Sequence, residues 1–305
     1  MARRRRDIPS IATRCCRNER IRGAISLNSR LTASQAIRIT PPRRWPELAL
    51  GEVWAHRELV WFLVWRDLKV RYKQTLLGAA WAILQPVCMM VVFTLFFGRS
   101  GQVDTGGVPY PVFSYAALVP WTYFQYAFPL TGNSLISNSK LISKVYFPRA
   151  IVPAASALSG AVDFFIAGVI MVALMLYYHV PLTAGLLLWP LLLLPLVMFT
   201  TALGMFFASL NVKYRDIKYT IPFLVQILMF VSAVIYPASQ LPHKYATILR
   251  LNPLVGILDA FRAAALPNQA IDWDLLGQAT LVTLLCLVLA SVHFYRTERE
   301  FADII

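Results

Sequence analysis

The chain lacks the loop that cradles phosphates. Nowhere does a glycine stand before Lys-Ser or Lys-Thr in the spacing GxxxxGK[ST], so nucleotide hydrolysis of that kind is not its own work. It has no HExxH and no Cys/His cluster at metal-ligand spacing; its four histidines, His56, His179, His243 and His293, are scattered. Cysteine is scarce. Cys88 and Cys286 lie in apolar runs and Cys15 and Cys16 in an arginine-rich tail, which excludes a disulfide framework. Charge is scarce too: 14% of the 305 residues are charged and 58% are hydrophobic, against about 25% charged in a soluble domain. A membrane protein is the class that remains. The net charge of +14 says nothing about nucleic acid until the charges are placed along the chain.

A spanning helix needs roughly 20 mostly apolar residues, and six segments qualify: Gly78 to Gly98, Val112 to Leu130, about Ala150 to Tyr178, Leu182 to Leu210, Ile221 to Leu241 and Leu275 to Tyr295. The third holds one acid, Asp163. Only His179, Val180 and Pro181 separate the third from the fourth, which predicts a tight hairpin. Between the fifth and sixth, Asn252 to Leu266 is apolar but too short to cross. It predicts a re-entrant helix with Asp259 and Arg262 on one polar face. With the N-terminus inside, the inner loops hold Arg66, Lys69, Arg71, Lys73, Lys140, Lys144, Arg149, Lys213, Arg215, Lys218, Arg296 and Arg299. The outer loops hold only Arg99, Lys244, Arg250 and Arg262. The bias predicts two cytoplasmic termini, and it accounts for most of the net charge without nucleic acid. The expected fold is an all-α integral membrane protein. Its parts are a disordered arginine-rich tail (1–40), an interfacial helical region (41–77), a six-span domain (78–295) and a cytoplasmic tail (296–305). The tail at 1–40 has no apolar h-region and is no signal peptide.

Just before the first span, Trp61, Trp65, Leu68 and Tyr72 recur at steps of four, three and four, and Arg66, Lys69 and Lys73 share another face. Asp67 and Arg71 make an i,i+4 pair in the favourable order. This spacing predicts an amphipathic helix lying in the inner interface, its stripe continuing back through Leu50, Val53, Trp54 and Val60. It serves either as an anchor for the first span or as a movable gate. Inside that span, Gln85 and Pro86 are costly against lipid, so both point to a protein contact or a cavity. Asp163 is the one intramembrane acid, a functional-site candidate by default. A proton relay needs more ionisable groups than this, so a structural polar contact is expected, and a secondary transporter is disfavoured. The DWD at Asp272 to Asp274 has the look of a metal–diphosphate pair. It stands outside, directly before the sixth span, where it makes a helix N-cap. A membrane glycosyltransferase would need that pair inside.

The inner loop Thr131 to Arg149 puts Leu135, Ile142, Val145 and Tyr146 on one helical side, with Lys140 and Lys144 as a basic edge and Pro148 as its end. Spacing leaves open whether this helix lies on the membrane or docks in a partner's groove.

Several stretches together resemble one family. They are WRDLKVRYKQTLLGAAWAILQP, LISKVYFPR, VDFFIAG, LNVKYRDIK, PFLVQILMFVSAVIYPAS, LNPLVGILDAFR and EREFADII. Over roughly Pro41 to Ile305 the chain is similar to membrane subunits of ABC-2 type exporters of bacterial surface polysaccharide: O-antigen, capsule or teichoic acid. The resemblance implies a homodimer with six spans per subunit in the inner membrane. Two copies of a separate ATPase would consume ATP with Mg, and this chain would bind no cofactor and catalyse nothing. It implies a coupling segment at Leu141, Ile142, Lys144, Val145, Tyr146, Phe147 and Arg149, and a second at Lys213, Arg215 and Asp216. It also implies a gate for an incoming glycolipid at Trp61, Trp65, Arg66, Asp67, Lys69, Arg71, Tyr72 and Lys73. A glycan channel would be lined by Gln85, Tyr110, Tyr115, Trp121, Tyr123 and Tyr126, whose rings are either a sliding surface or interfacial belt residues. Export of a small lipid or drug by the same kind of permease is the alternative.

Overall fold

The computed structural model describes residues 56–73, 80–98, 105–145, 147–237, 249–267 and 269–304, the last six of these as backbone only. The tail 1–40 with Cys15 and Cys16, the positions Leu50, Val53 and Trp54, and Arg99, Tyr146, Lys244 and the Arg299 side chain lie outside the described residues. So does 238–248, where the expected fifth span and its outer loop meet.

Among the described residues the protein is all-α, with no strand. The helices are α1 (Arg57–Lys73), α2 (Ala80–Phe97), α3 (Tyr110–Gly132), α4 (Ser134–Ser137), α5 (Ser139–Ile142), α6 (Ile151–Ser159), α7 (Ala161–Tyr177), α8 (Trp189–Lys213), α9 (Ile217–Val231), α10 (Pro253–Ala265) and α11 (Trp273–Ile304). A 3₁₀ turn at Ala184–Leu188 leads into α8.

Among the described residues four segments are long and apolar enough to cross a membrane: Ala80–Phe97, Ile151–Tyr177, Ala184–Lys213 and Trp273–Glu298. The remaining two expected spans are helices of a different character. Every residue of α3 from Val112 to Trp121 is buried, because α2, α6, α7, α8, α9 and α10 all pack against it. A helix sheathed by protein need not match lipid, so α3 tolerates Ser114, Thr122, Gln125 and Thr131. Each hydroxyl among them returns to a backbone carbonyl of α3 itself, and the Trp121 indole donates to Gln125. Phe124 stacks against Phe128 and Phe199 in the centre of this core. α9 has 15 residues, about 22 Å of helix.

The turn expected before Pro181 is present after α7. His179 takes a positive φ of 55° and Val180 donates back to the Met175 carbonyl. α10 departs from expectation. It is buried on nearly all sides, and of the expected polar pair Arg262 is fully buried while Asp259 is half-buried. Its Gly256 lies so near α11 that a Cβ would stand 2.8 Å from the Leu275 carbonyl oxygen. The expected helix over 131–149 is broken into α4, α5 and a turn. The Asn133 and Asn138 amides donate to the carbonyls of Pro129 and Ser134, and this local competition interrupts helix propagation at each position.

Candidate functional site

Two ends of the molecule are distinguished by how their loops are tied. At one end the Asn211 amide, near the C-terminus of α8, donates to the Gly132 carbonyl and to Asn133 Oδ1. The loop after α3 and the turn after α8 therefore share a surface. Beneath it Leu135, Phe147, Ile151, Val212 and Phe294 form an apolar cluster that also receives Val60, Leu63 and Val64 of α1. On it Lys140, Lys144, Val145, Lys213, Arg215, Asp216 and Lys218 are exposed. Not every expected docking residue is available there. Phe147 is buried in the cluster, Leu141 and Ile142 pack against its edge, and Arg149 donates to the Glu298 carbonyl at 2.8 Å and faces the Glu298 carboxylate at 3.8 Å. The chain uses these to seat the loop against α11.

At the other end Arg262 is fully buried. Its guanidinium donates to the carbonyls of Ala233, Val234 and Tyr236 at 2.9–3.2 Å and lies 4.3 Å from the centre of the Phe113 ring. Ala233 holds a positive φ of 55°, and Tyr110 donates to the Ile235 carbonyl. One arginine, read from sequence as an outer-loop charge, thus clamps the turn that ends α9. Asn252 caps α10 by accepting from the Leu254 N–H. Asp272 accepts from the Leu275 N–H at 3.0 Å and caps α11, the role expected for the DWD motif.

The polar constellation of the membrane-spanning part is a cleft of about 230 Å³ between α1, α2, α3 and α7, with Arg71, Tyr72, Trp81, Gln85, Tyr126 and Asp163 on its walls. Asp163 accepts from the Arg71 guanidinium through one oxygen and from the Tyr72 hydroxyl through the other. The Tyr126 ring covers Arg71 with its centre 3.5 Å away. Burial and the neighbouring carboxylate push the Tyr72 phenol up to about 12, so it remains a donor at neutral pH. Gln85 is exposed and Pro86, one residue on, is buried. Of the two alternatives expected for this pair, a protein contact or a cavity, the cleft is where both side chains lie.

Around this cleft several sequence assignments change. Tyr72, placed on the tryptophan stripe, turns inward to Asp163, as does Arg71, while Asp67 is bonded to its neighbour Arg66 at 2.7 Å. The buried face of α1 is Val60, Leu63 and Val64; Trp61, Phe62 and Trp65 point away from the protein, with Lys69 5.3 Å from the Trp65 ring and Lys73 exposed. Of the expected channel rings, Tyr110, Tyr115, Trp121 and Tyr123 are core residues. The Tyr115 and Tyr123 hydroxyls donate to the carbonyls of Ala167 and Ala157. Tyr110, Tyr115 and Trp121 do not border the cleft, whereas Gln85, Tyr126 and the buried Tyr123 all do. Trp81, which stands one turn before Gln85, was missed. Their i,i+4 spacing was the available signal. Among the described residues no group of three or more His, Cys, Asp or Glu is placed to hold a metal.

Comparison with known proteins gives concordant results. The profile of the ABC-2 type transporter family matches residues 58–266, a range that runs from α1 through α10. An O-antigen export system permease protein of Myxococcus xanthus, RfbA, is 29% identical over 255 residues, covering 83% of this chain and 97% of the relative. An RfbA of Klebsiella pneumoniae is 25% identical, with 79% and 92% covered. The polysialic acid transport protein KpsM of Escherichia coli is 24% identical, with 77% and 91% covered.

Proposed function

Because the chain belongs to the ABC-2 type transporter family, we propose that it is the membrane permease of an ATP-driven exporter of lipid-linked surface polysaccharide, resident in a bacterial inner membrane. The observation that carries this reading is the similarity, over more than nine-tenths of their lengths, to permeases named for O-antigen export and polysialic acid transport. In this reading two copies of the chain surround the glycan path. Two copies of a separate ATPase, using ATP and Mg, bind the basic end that carries Lys144, Val145, Lys213 and Arg215. Six spans result when α3 and α9 join the four apolar segments. α3 is about 34 Å long, enough to cross. α9 is short, and the turn after it rests on α10 through Arg262. Both termini are then cytoplasmic, α10 is the re-entrant element, and α1 is the gate for the incoming glycolipid. Its open tryptophan face supports that role, since such rings favour the headgroup level.

Deletion of the gene in its source bacterium tests the proposal. Surface polysaccharide should disappear and its lipid-linked form accumulate inside. A plasmid copy should restore export only when the partner ATPase is active. Unchanged surface polysaccharide in the deletion strain would overturn the reading.

A further inference from the structure

The apolar segment Ile151–Tyr177 is long enough to cross a membrane, yet it is two helices, α6 and α7, that meet at Gly160. The break comes from local chemistry. The Ser159 hydroxyl donates to the Ser156 carbonyl at 2.8 Å, the acceptor that a regular helix would offer to the Gly160 N–H. That N–H turns instead to the Ala157 carbonyl at 3.3 Å. A tightened turn inside a helix, at a pair of serine and glycine, is where helices bend. The Ala157 carbonyl also accepts from the buried Tyr123 hydroxyl at 3.0 Å. A Cβ on Gly160 would stand 3.1 Å from the Tyr123 ring, so glycine lets that ring close on the break. The two halves belong to different apolar clusters. Ile151, Val152 and Ala155 of α6 pack in the cluster beneath the basic end, whereas Phe164, Ala167 and Met171 of α7 pack in the main core. The cleft of about 230 Å³ borders the break through Gly160, Asp163 and Phe164 and leaves it room on that side.

Helix α1 crosses this break. Val60, Leu63 and Val64 sit in the same cluster as α6, ahead of it. Arg71 and Tyr72 are bonded to Asp163 in the first turn of α7, beyond it. From Val60 to Arg71 α1 rises about 16 Å, and from Ile151 to Asp163 the span rises about 18 Å, so the fastenings on the two elements are spaced alike. α1 itself runs unbroken from Arg57 to Lys73. We propose that Ser159 and Gly160 form a joint in this span, and that α1, packed on α6 and fastened to α7, is the splint that sets its angle. Asp163 is then a positioning residue that acts through Arg71 and Tyr72. The loop Thr131 to Arg149 leads into α6, so a displacement of the loop moves one side of the joint, and the splint carries the movement to α1. That last step rests on the export reading, in which the basic end receives the ATPase and α1 is the gate. The joint and its splint do not.

Hydrogen exchange of the full chain in nanodiscs reads the joint, because Gly160, Asp163 and Phe164 border the cleft and water reaches their amides through it. Arg71→Met and Tyr72→Phe release one end of α1, and Leu63→Ala loosens the other. All three changes lie on α1, yet exchange over 160–164 should quicken about fivefold in each, the size of one net interaction. Arg71→Lys keeps the charge and should stay near wild type. Ser159→Ala frees the Ser156 carbonyl for the Gly160 N–H, so it should slow exchange at the joint and offset Tyr72→Phe, the mildest of the releasing variants. Exchange that quickens within α1 while 160–164 stays as in wild type would mean that Asp163 fastens α1 alone, and overturns the splint. Exchange unaltered by Ser159→Ala overturns the joint. With the ATPase present, glycan exported per ATP hydrolysed should fall in Arg71→Met and hold in Arg71→Lys. An unchanged ratio in Arg71→Met overturns transmission through the joint. Unchanged surface polysaccharide on deletion of the gene overturns the export reading instead, and the exchange result does not depend on it.

Discussion

Asp163 holds two donors that come from the same helix end, and its removal isolates both. Exposed ion pairs contribute about 0.2–1 kcal/mol, and breaking a buried pair costs about 3–5 kcal/mol. The Arg71 and Asp163 side chains are 17% and 20% exposed, so Asp163→Ala should destabilise by an intermediate amount, about 1–3 kcal/mol. Arg71→Met combined with Asp163→Leu should cost less than the sum of the two single replacements, since neither charge is then left alone. A double-mutant cycle by equilibrium unfolding in mixed micelles measures this, and additive effects would mean the pair contributes nothing. The acid was legible in the sequence as the one charge inside a span. Its partners were not, because they lie 91 and 92 residues away and one of them fitted an i,i+4 pair with Asp67 equally well. Arg262 shows the same limit. Counting loop charges put it outside, whereas three backbone carbonyls of a turn hold it in the core.

At the scale of elements, the loop between α3 and α6 separates residues that its periodicity had grouped. Phe147 is core and Val145 is exposed, two residues apart. Phe147→Ala should leave a cavity beneath the loop and lower stability by about 3–5 kcal/mol. Val145→Ala should shift stability by no more than about 0.5 kcal/mol. If the exposed basic end receives the ATPase, Val145→Asp should reduce its co-purification while leaving the permease folded. Co-purification equal to wild type, with Phe147→Ala as the only defective variant, would mean that this turn seats the loop and does not dock a partner. Periodicity could not make the distinction because Asn133 and Asn138 interrupt the helix that it presupposed. α3 illustrates the converse. Its apolar length was legible, but its encirclement by six other helices was not, and encirclement is what turned Tyr110, Tyr115, Trp121 and Tyr123 from channel candidates into core.

For the whole molecule, orientation is the property most open to direct test. The Asn211 bonds to Gly132 and Asn133 put Ser137 and Tyr214 at one end. Gly106 lies near Gln269, just before α11 begins, 3.7 Å from where its Cβ would stand. In a background without native cysteine, Gly106→Cys should react with a membrane-impermeant thiol reagent in intact cells, whereas Ser137→Cys and Tyr214→Cys should react only after permeabilisation. The opposite pattern would invert the topology drawn from the lysine and arginine bias.

The all-α class, four of the six expected spans, the turn at His179 and the cap at Asp272 were determined by sequence alone. Each follows from short-range chemistry: the length of an apolar run, the geometry of proline, a carboxylate three residues ahead of an N–H. The tertiary structure alone decided which face of α1 is buried, which rings are open, where Arg71 and Arg262 place their charges, and that Gln85 and Trp81 share a cleft with Asp163. These depend on contacts between segments tens to more than a hundred residues apart. Such contacts are selected by how helices pack around α3, and local periodicity carries no record of them.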